Sequence, residues 1–593
     1  MSMLAGIVSR SLQTPVPDDA KRRLRQLISR HAAEPLETYE DQHALLLKAD
    51  FGAFGHPGFE RSLCGSVAIV AGEPSLYGQG SSGTSNRARD LTILHESWDR
   101  EDWKPLESVR GVFAAVYYRP ATRTICLIAD KLGVRPIFYW MDDSVLVFAS
   151  ALRVLEEMLE VRKRIDMVGA TQIASFGFAL GDRTAYEGVR RIKSAEVIEI
   201  SPTRSTKRQY WRWDEIAPAN CTESEGLEEA HRRFLTAVRL RVGTDSTVLA
   251  MLSGGLDSRC VVASLRALQI RVHTFNISPR GSQDEVFGGA FAQLIGSTHH
   301  QIDKIINHPE VRSLFNEVRE TSPSLRRWPP ERPRVVWSGD GGSVGFGHVY
   351  MSPAVVALLR ERKLNQAIDA FLREQKCSVL TRLLHPRLSM ELAGCLHDSM
   401  LAEFTQLHAT DPGRDLYVFL LMNDQRHHLS LHFENIDLLR EEIQAPFYDS
   451  DFLAWIAALP LDLCLLHRAY TKWLRYFDPA VFSVPWQAYP GHEGCTLPVP
   501  NRLPQQWQRG AFSGWEAFLR NELLRESANM LARGNFPDAI LNKQYVRLTY
   551  WLEKFRLRDY GYVLDKALIY SKYWNRTGRS LLPLSPPAFS AKH

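Results

Sequence analysis

Residues 246–258 read Ser-Thr-Val-Leu-Ala-Met-Leu-Ser-Gly-Gly-Leu-Asp-Ser, and this stretch decides the fold of the second half of the chain. Its first seven residues form an apolar run typical of a buried strand, and after two glycines a helical pattern runs from 258 to 268. A second strand pattern at 271–277 and a second helical pattern at 283–294 follow. Strands that alternate with helices predict a parallel sheet with crossover helices.

The rest of the chain indicates a division near residue 215. Residues 1–215 contain short apolar or alternating runs between turn-forming residues, a pattern that predicts strands. Residues 353–480 are mostly helical in pattern, and amphipathic helices are predicted around 515–533 and 542–555. We therefore predict two domains, residues 1–215 and 216–593, that combine α/β and α+β architecture.

The composition limits the class of protein. The chain has 593 residues, too many for one ordinary core, and its net charge of +5 without concentrated Lys/Arg blocks does not indicate nucleic-acid binding. Eight cysteines occur without a CxxC pair, which suits a reducing compartment rather than a zinc site or a disulfide framework. Because no apolar stretch approaches the roughly 20 residues that cross a bilayer, we expect a cytoplasmic protein without a membrane partner.

The turn at residues 253–258 has the chemistry of an anion-binding loop. Glycine lets the backbone approach a ligand closely, and a helix N-terminus presents free N–H groups and a positive dipole end to an anion. The hydroxyls of Ser253 and Ser258 add donors, and the Asp257 carboxylate can hold Mg²⁺ against phosphates. The lysine of the GxxxxGK[ST] loop is absent, so that motif is excluded. The alternative is an ordinary strand–helix turn capped by Asp257 or Ser258.

Residues 253–258 resemble the pyrophosphate loop of the N-type ATP pyrophosphatases. The wider match is to asparagine synthetases and their relatives, which include β-lactam and carbapenam synthetases and the macrolactam-forming cyclases of lasso peptides. Residues 111–118 and 130–139 look like the N-terminal glutaminase-type domain of this family, and residues 273–278 look like the second strand of its synthetase domain. The resemblance implies an Ntn-hydrolase-like β-sandwich with helices, followed by a parallel-sheet ATP pyrophosphatase domain with added helices.

The resemblance also implies residues that bind ATP and Mg²⁺. Residues 338–347, Ser-Gly-Asp-Gly-Gly-Ser-Val-Gly-Phe-Gly, are similar to the family's second loop, whose first acid falls on Asp340. The second acid, a Mg²⁺ ligand in the family, is replaced by Ser343, so Mg²⁺ is expected on Asp257 and Asp340, or with more waters. A glycine turn with Asp340 as a helix cap is the alternative. The residues expected to contact ATP are Leu252, Ser253, Gly254, Gly255, Asp257, Ser258, Asn276, Ile277 and Gly339.

Two further segments match the family with substitutions at functional positions. Residues 442–449 resemble a family segment that begins with a glutamate, here Glu442; for Pro446 and Asp449 a structural role is as well supported as a functional one. Gln487 stands near the expected place of a family lysine that stabilises the acyl-transfer transition state. Lys472 is one candidate for the missing charge, although its surroundings have a helical pattern. We therefore predict Asp340, Glu442 and Lys472 as catalytic residues.

The glutaminase nucleophile is missing from its expected place. Family glutaminases use a cysteine directly after the initiator methionine, where this chain has Ser2, and its first cysteine is Cys64. Attack requires a thiolate, and a serine without a nearby base does not replace it. We therefore predict an N-terminal domain without glutaminase activity and a substrate amine, rather than ammonia from glutamine, as the nucleophile. The alternative is that translation starts elsewhere.

Within the family, these departures favour a lasso-peptide cyclase. Such an enzyme adenylates an Asp or Glu side chain of a precursor peptide and closes a macrolactam with the peptide's N-terminal amine. The chain length and the helical segments at about 353–435 and after 503 support this choice. A leader-binding protein and a leader peptidase are then expected partners. A β-lactam-type synthetase, a glutamine-independent asparagine synthetase and a catalytically inactive scaffold are the alternatives.

A group of three histidines also has spacing that can hold a metal. His427, His428 and His432 include an i, i+4 pair, which can bind zinc on one helix face. No HExxH motif flanks them. We interpret them as helix-surface or substrate-contact residues.

Overall fold

The N-terminal region consists of two six-stranded antiparallel sheets. The structure is a computed structural model, and it describes residues 2–76, 86–303, 318, 320, 322–500, 503–505, 508, 513–532, 534 and 536–577. The strands are β1 Ser2–Ser9, β2 Leu36–Glu40, β3 Ala44–Asp50, β4 Phe59–Arg61, β5 Val67–Gly72, β6 Phe113–Arg119, β7 Thr124–Ala129, β8 Phe138–Met141, β9 Val145–Ala149, β10 Arg190–Arg191, β11 Glu196–Ile200 and β12 Ser205–Gln209. One sheet has the order β10-β8-β9-β1-β3-β2 and the other β12-β11-β7-β6-β5-β4.

The two sheets pack face to face through their apolar sides. One buried cluster joins Leu4 and Leu46 of the first sheet to Ile69, Val116 and Leu127 of the second. Interdigitated inner faces of this kind are the core of a β-sandwich, so the predicted sandwich is present. The helices of this region are Asp18–Leu27, Arg87–Asp99, Leu152–Glu157 and Met167–Phe176.

The second region contains the predicted parallel sheet, which the structure confirms. Its strands are β13 Thr247–Met251, β14 Arg271–Ser278, β15 Thr298–Asp303, β16 Val335–Trp337 and β17 Glu442–Gln444. Their order is β15-β14-β13-β16-β17, and every neighbouring pair is parallel. The chain runs outward from β13 to β15 and then returns to β16 on the other side, and ligands of such sheets bind at the carboxyl ends of the strands beside this switch point. The predicted domain boundary at residue 215 falls between β12 and β13 and stays a prediction.

Helices account for most of the remaining described residues. They are Glu223–Val242, Leu256–Ala267, Gln283–Ile295, Pro323–Arg327, Gly342–Gly345, Pro353–Arg360, Leu364–Glu374, Pro386–Leu392, Cys395–Phe404, Arg414–Leu420, Arg426–His428, Ser430–Glu434, Ile436–Leu439, Ser450–Ala458, Leu461–Cys464, Arg468–Trp473, Ala480–Ser483, Ser513–Leu531, Lys543–Lys554 and Gly561–Arg576. The helices predicted around 515–533 and 542–555 are confirmed, and Leu421–Gln425 forms a π-helical turn. In the described part of the chain no single helix is long and apolar enough to span a membrane, and only the pair Ser450–Ala458 and Leu461–Tyr476, bent by 111°, meets that test together.

Buried ion pairs join the two regions. The Asp449 carboxylate lies 2.7 Å from Arg110 Nη2 of the N-terminal region and 2.8 Å from Arg241 Nη1 of the helix Glu223–Val242. Arg135 of the N-terminal region forms a second buried pair with Glu442 on the edge strand β17. Since an unpaired buried charge costs several kcal/mol, these ion pairs stabilise the contact between the two regions.

Candidate active site

The glycine loop lies at the carboxyl end of β13, as predicted. Ser253 N donates to Ser258 Oγ (3.0 Å), and Gly255 N donates to Ser253 Oγ (3.2 Å). Gly254 N donates to Asp284 Oδ1 (2.8 Å), and a Cβ at this glycine would lie 2.8 Å from a backbone oxygen of the helix Gln283–Ile295. The N–H groups of Ser253, Gly254 and Gly255 are therefore all engaged with protein oxygens in this structure, and the acceptor of Gly254 is a carboxylate.

Asp257, in the first turn of the helix after the loop, is bonded on both of its oxygens. Ser343 N and Ser343 Oγ both donate to Asp257 Oδ2 (3.0 and 2.7 Å), and the Tyr470 hydroxyl donates to Oδ1. Burial raises the pKa of Asp257, and these hydrogen bonds partly offset that rise. Ser343, which stands where the resemblance places the second acid of the loop, therefore bonds directly to Asp257.

The second glycine loop contacts the first and carries Asp340. A Cβ at Gly339 would lie 2.5 Å from Ser258 N, so only glycine allows this approach. Asp340 Oδ2 accepts from Ser338 Oγ (2.5 Å), and Asp340 Oδ1 lies 3.0 Å from His428 Nε2. Burial raises the pKa of Asp340, but the bond and charge of His428 and the bond from Ser338 together outweigh burial and leave that pKa below its usual value. The same bond raises the pKa of His428, so the two groups form an ion pair.

A cavity of about 510 Å³ lies between the two loops and the segment 421–428. The described residues that line it are Met251, Leu252, Ser253, Asp257, Ser258, Phe275, Asn276, Ile277, Asp284, Ser338, Gly339, Asp340, Gly341, Ser343, Val344, Val349, Tyr350, Asp424, Gln425, His428 and Tyr489. The predicted ATP contacts other than Gly254 and Gly255 therefore lie together in this cavity. Gly255 lines a smaller cavity of about 120 Å³, and Gly254 donates a hydrogen bond to Asp284, which lines both cavities. Their roles in binding ATP stay predictions.

Two of the predicted catalytic residues lie outside these cavities. Glu442 is fully buried against Arg135, because the side chain at this position of the edge strand β17 faces the N-terminal region. Lys472 is half exposed and pairs with Glu223 (2.9 Å). It lies two residues after Tyr470, which faces Asp257, and at 3.6 residues per turn two positions rotate a side chain to the opposite side of a helix. Glu442 and Lys472 thus lie away from both cavities, and their catalytic roles stay predictions.

The exposed position of Lys472 makes a direct test. Lys472→Ala should change the rate of ATP–pyrophosphate exchange by less than about 3-fold, since an exposed ion pair is worth about 1 kcal/mol or less. The exchange rate at saturating ATP is the measurement, and Glu223→Ala, which removes the partner, is the matched control. A 100-fold loss of exchange rate in Lys472→Ala, without such a loss in Glu223→Ala, would show that Lys472 takes part in the reaction.

The structure adds site residues that the sequence analysis did not select. Tyr350, Asp424, Gln425 and Tyr489 line the larger cavity, and all but Tyr350 lie far from the glycine loops in the sequence. His428 was interpreted as a helix-surface or substrate-contact residue, and it lies in the cavity wall. Its only sequence signal was the histidine group, and the described residues contain no cluster of three His, Cys, Asp or Glu side chains that could hold a metal.

The segment around Gln487 lies against the glycine loop, at the place where the resemblance predicts a lysine. Gln487 Nε2 donates to Asp284 Oδ1 (2.9 Å), and Gln487 N donates to Gly254 O (3.2 Å). The buried Arg259 guanidinium donates to the Pro485 carbonyl (2.6 Å) and to Gly254 O (3.2 Å). Arg259, directly after the motif, therefore positions this segment from behind the loop rather than facing a ligand.

Neither cavity is lined by a Lys or Arg among the described residues, whereas four aspartates line the larger one. A triphosphate entering such a site needs a cation with it, which fits the predicted Mg²⁺. Asp257 Oδ2 already accepts two hydrogen bonds, but Asp257 Oδ1 and both oxygens of Asp340 each accept one, so each keeps a free lone pair. These donors fit a Mg²⁺ that is bound mainly by phosphate oxygens and by one or two carboxylates, the mode typical of this ion.

Comparisons with known proteins agree with this architecture. A family model described as a glutamine amidotransferase domain matches residues 82–211, and one described as asparagine synthase matches residues 229–318. Among solved structures, "Structure of the allosteric regulatory enzyme of purine biosynthesis" is matched over 52% of this chain and 82% of that chain, at 13% identity and a TM-score of 0.24. The fold is therefore assigned from the order and direction of the strands.

The curated relatives are distant and partial. A relative from Methanocaldococcus jannaschii is 24% identical over 279 residues, which are 44% of this chain and 53% of that protein. The glutamine-hydrolysing asparagine synthetase 3 of Bacillus subtilis is 23% identical over 39% of this chain and 41% of its own length. The glutamine-hydrolysing asparagine synthetase of Mesocricetus auratus is 28% identical over 35% and 37%. The chain thus spans about half, or less, of the length of these relatives. The chain is thus similar to a glutamine amidotransferase domain over residues 82–211 and to asparagine synthase over residues 229–318, and it is distantly similar to asparagine synthetases.

Proposed function

We propose that this chain is an ATP-dependent, AMP-forming ligase that activates a carboxylate as an acyl-adenylate and joins it to an amine. The observation that carries the proposal is the contact between two glycine loops, at the ends of β13 and β16, in front of a cavity of about 510 Å³. The similarity to asparagine synthetases supports the amide-forming class of ligase.

The proposed reaction has two steps. A substrate carboxylate attacks the α-phosphorus of ATP and pyrophosphate leaves; then an amine attacks the acyl-adenylate and AMP leaves. The loop N–H groups and the hydroxyls of Ser253 and Ser258 hold the phosphates, and preorganised donors of this kind stabilise the charge that develops in the transition state. Mg²⁺ on Asp257 and Asp340 would neutralise phosphate charge.

Within this class we propose the lasso-peptide cyclase reaction, in which the carboxylate and the amine belong to one precursor peptide. The residue at the start of β1 supports an amine other than glutamine-derived ammonia, because Ser2 is buried there and its hydroxyl accepts a bond from Gly72 N (3.3 Å). The helices between Pro353 and Leu439 include the segment that carries Asp424, Gln425 and His428 in the cavity wall, and we propose that this added helical region holds the peptide. A leader-binding protein and a leader peptidase are the proposed partners.

The test is ATP–pyrophosphate exchange followed by mass spectrometry of the product. A peptide with a free N-terminal amine and an Asp or Glu side chain should stimulate exchange and yield a product lighter by one water. Exchange with amino-acid derivatives but not with the peptide would favour a β-lactam-type synthetase instead. If no carboxylate stimulates pyrophosphate exchange and the protein binds no ATP, the chain is an inactive scaffold.

A further inference from the structure

One aspartate in the wall of the larger cavity differs from the others in its partners. Asp257, Asp284 and Asp340 each accept at least two hydrogen bonds from protein donors. Asp424 accepts one, from Gln425 Nε2 (2.7 Å), and no Lys or Arg of the described residues forms an ion pair with it. Burial raises the pKa of Asp424, and the bond from Gln425 and the charge of His428, which is paired with Asp340, offset that rise only in part. A carboxylate that is largely withdrawn from water is costly, and a cationic ligand beside it would lower that cost.

Two aromatic side chains share this wall with Asp424. Tyr350 and Tyr489 both line the cavity, and each is more than a third exposed. Burial, followed by the charge of Asp424 and then that of Tyr489, raises the pKa of Tyr350 to about 12, which shows that the three groups lie close together. The faces of tyrosine rings attract cations, as a carboxylate does. This wall therefore has the chemistry of a binding site for an alkylammonium group.

The local backbone explains how Asp424 reaches the cavity. The π-helical turn Leu421–Gln425 follows the α-helix Arg414–Leu420 and shifts the phase of the residues after it. Such turns frequently occur at functional sites. Asp424, Gln425 and His428 consequently line the cavity, while Arg426 and His427 turn away from it and bond to backbone carbonyls.

We infer that Asp424, flanked by Tyr350 and Tyr489, binds the attacking amine as an ammonium ion and then accepts its proton. The inference rests on the proposed function and names its nucleophile, an amine that is protonated in solution. One N–H proton passes to the Asp424 carboxylate, and the freed nitrogen lone pair forms the C–N bond to the acyl carbon. The bond from that carbon to the AMP oxygen breaks, its electron pair leaves with AMP, and a second N–H proton passes to solvent.

The experiment compares two acceptors in Asp424→Asn. With an N-acetylated peptide that carries an Asp or Glu side chain as the carboxylate donor, hydroxylamine is a largely neutral acceptor and n-butylamine is a cationic one. We expect exchange and hydroxamate formation within about 3-fold of the wild type, and butylamide formation reduced at least 100-fold. Asp415→Asn is the matched control, because Asp415 also has a pKa raised by burial, to about 6, but lines neither cavity. Equal losses with both acceptors, or no loss with either, would overturn the inference.

A binding measurement separates this inference from the proposed function. Saturation-transfer NMR with n-butylammonium needs no reaction, and we expect binding to the wild type and to Asp415→Asn, and at least 10-fold weaker binding to Asp424→Asn. If the wild type shows no pyrophosphate exchange, the proposed function fails, and this measurement still decides whether Asp424 binds the cation. Binding that is absent from the wild type, or equal in Asp424→Asn, rejects the site.

Discussion

Asp257→Asn should reduce ATP–pyrophosphate exchange at least about 100-fold, because the loss of one preorganised group in such a site typically costs 10²–10³ in rate. Both carboxylate oxygens accept hydrogen bonds, from Ser343 on one side and Tyr470 on the other. An asparagine must turn its NH₂ group toward one of these donors, so the link between the two glycine loops or the link to Tyr470 breaks. It also removes one of the two charges proposed to hold Mg²⁺.

The stability of the same variant is the control. Burial raises the pKa of Asp257, so the buried charge is itself a cost, and its removal offsets part of the lost hydrogen bonding. We therefore expect the free energy of unfolding, measured by chemical denaturation, to change by less than about 2 kcal/mol. Ser343→Ala, which removes one donor but keeps the charge, should reduce exchange far less. Wild-type exchange in Asp257→Asn would remove this loop from ATP binding.

Asp449→Ala should lower the free energy of unfolding by about 3–5 kcal/mol, the usual loss when one partner of a buried ion pair is removed. The change leaves Arg110 and Arg241 without their shared carboxylate in the interior. It also removes the N-cap of the helix Ser450–Ala458, where Asp449 Oδ1 accepts from two backbone N–H groups at 3.1 Å. Asp449→Asn, which keeps a capping oxygen but not the charge, separates the two contributions. A loss below about 1 kcal/mol with alanine would contradict the assigned role of this contact.

The same carboxylate predicts a dependence of stability on pH. Burial raises the pKa of Asp449, but Arg110 and Arg241 lower it more, so the folded value lies below its usual value. A carboxyl group with a depressed folded pKa contributes stability above its unfolded pKa, about 3.9, and loses that contribution as the pH falls toward the folded value. The stability difference between wild type and Asp449→Asn should therefore be constant from pH 7 to about 5 and should narrow below about pH 4.

The features that were predictable from the sequence are local ones. The strand, glycine loop and helix of residues 246–268 follow one another along the chain, so periodicity and glycine spacing are enough to predict them. The second loop at 338–343 was found in the same way, and its contact with the first follows from the adjacency of β13 and β16. Parallel strands bring their carboxyl ends to one edge, which makes this meeting of loops predictable.

The features that were missed depend on long-range packing. Glu442 was selected because its segment resembles one in the family, but its position in strand β17 and its contact with Arg135 decide the direction of its side chain. Lys472 lies on a helix whose buried face is set by Tyr470, and the helical pattern alone does not say which face meets the site. Asp424 depends on a π-helical turn, which changes the helical phase that sequence periodicity assumes.

The hydrogen bond between Ser343 and Asp257 has a consequence for how the site behaves before its ligands arrive. Two carboxylates at these positions would repel each other until a cation came between them, so an empty site would tend to open. A serine instead ties the two loops together at 2.7 Å without any ion. The serine thus supplies one carboxylate ligand fewer for the proposed Mg²⁺ but joins the two loops before any ligand binds. The proposed Mg²⁺ would then arrive bound to the nucleotide.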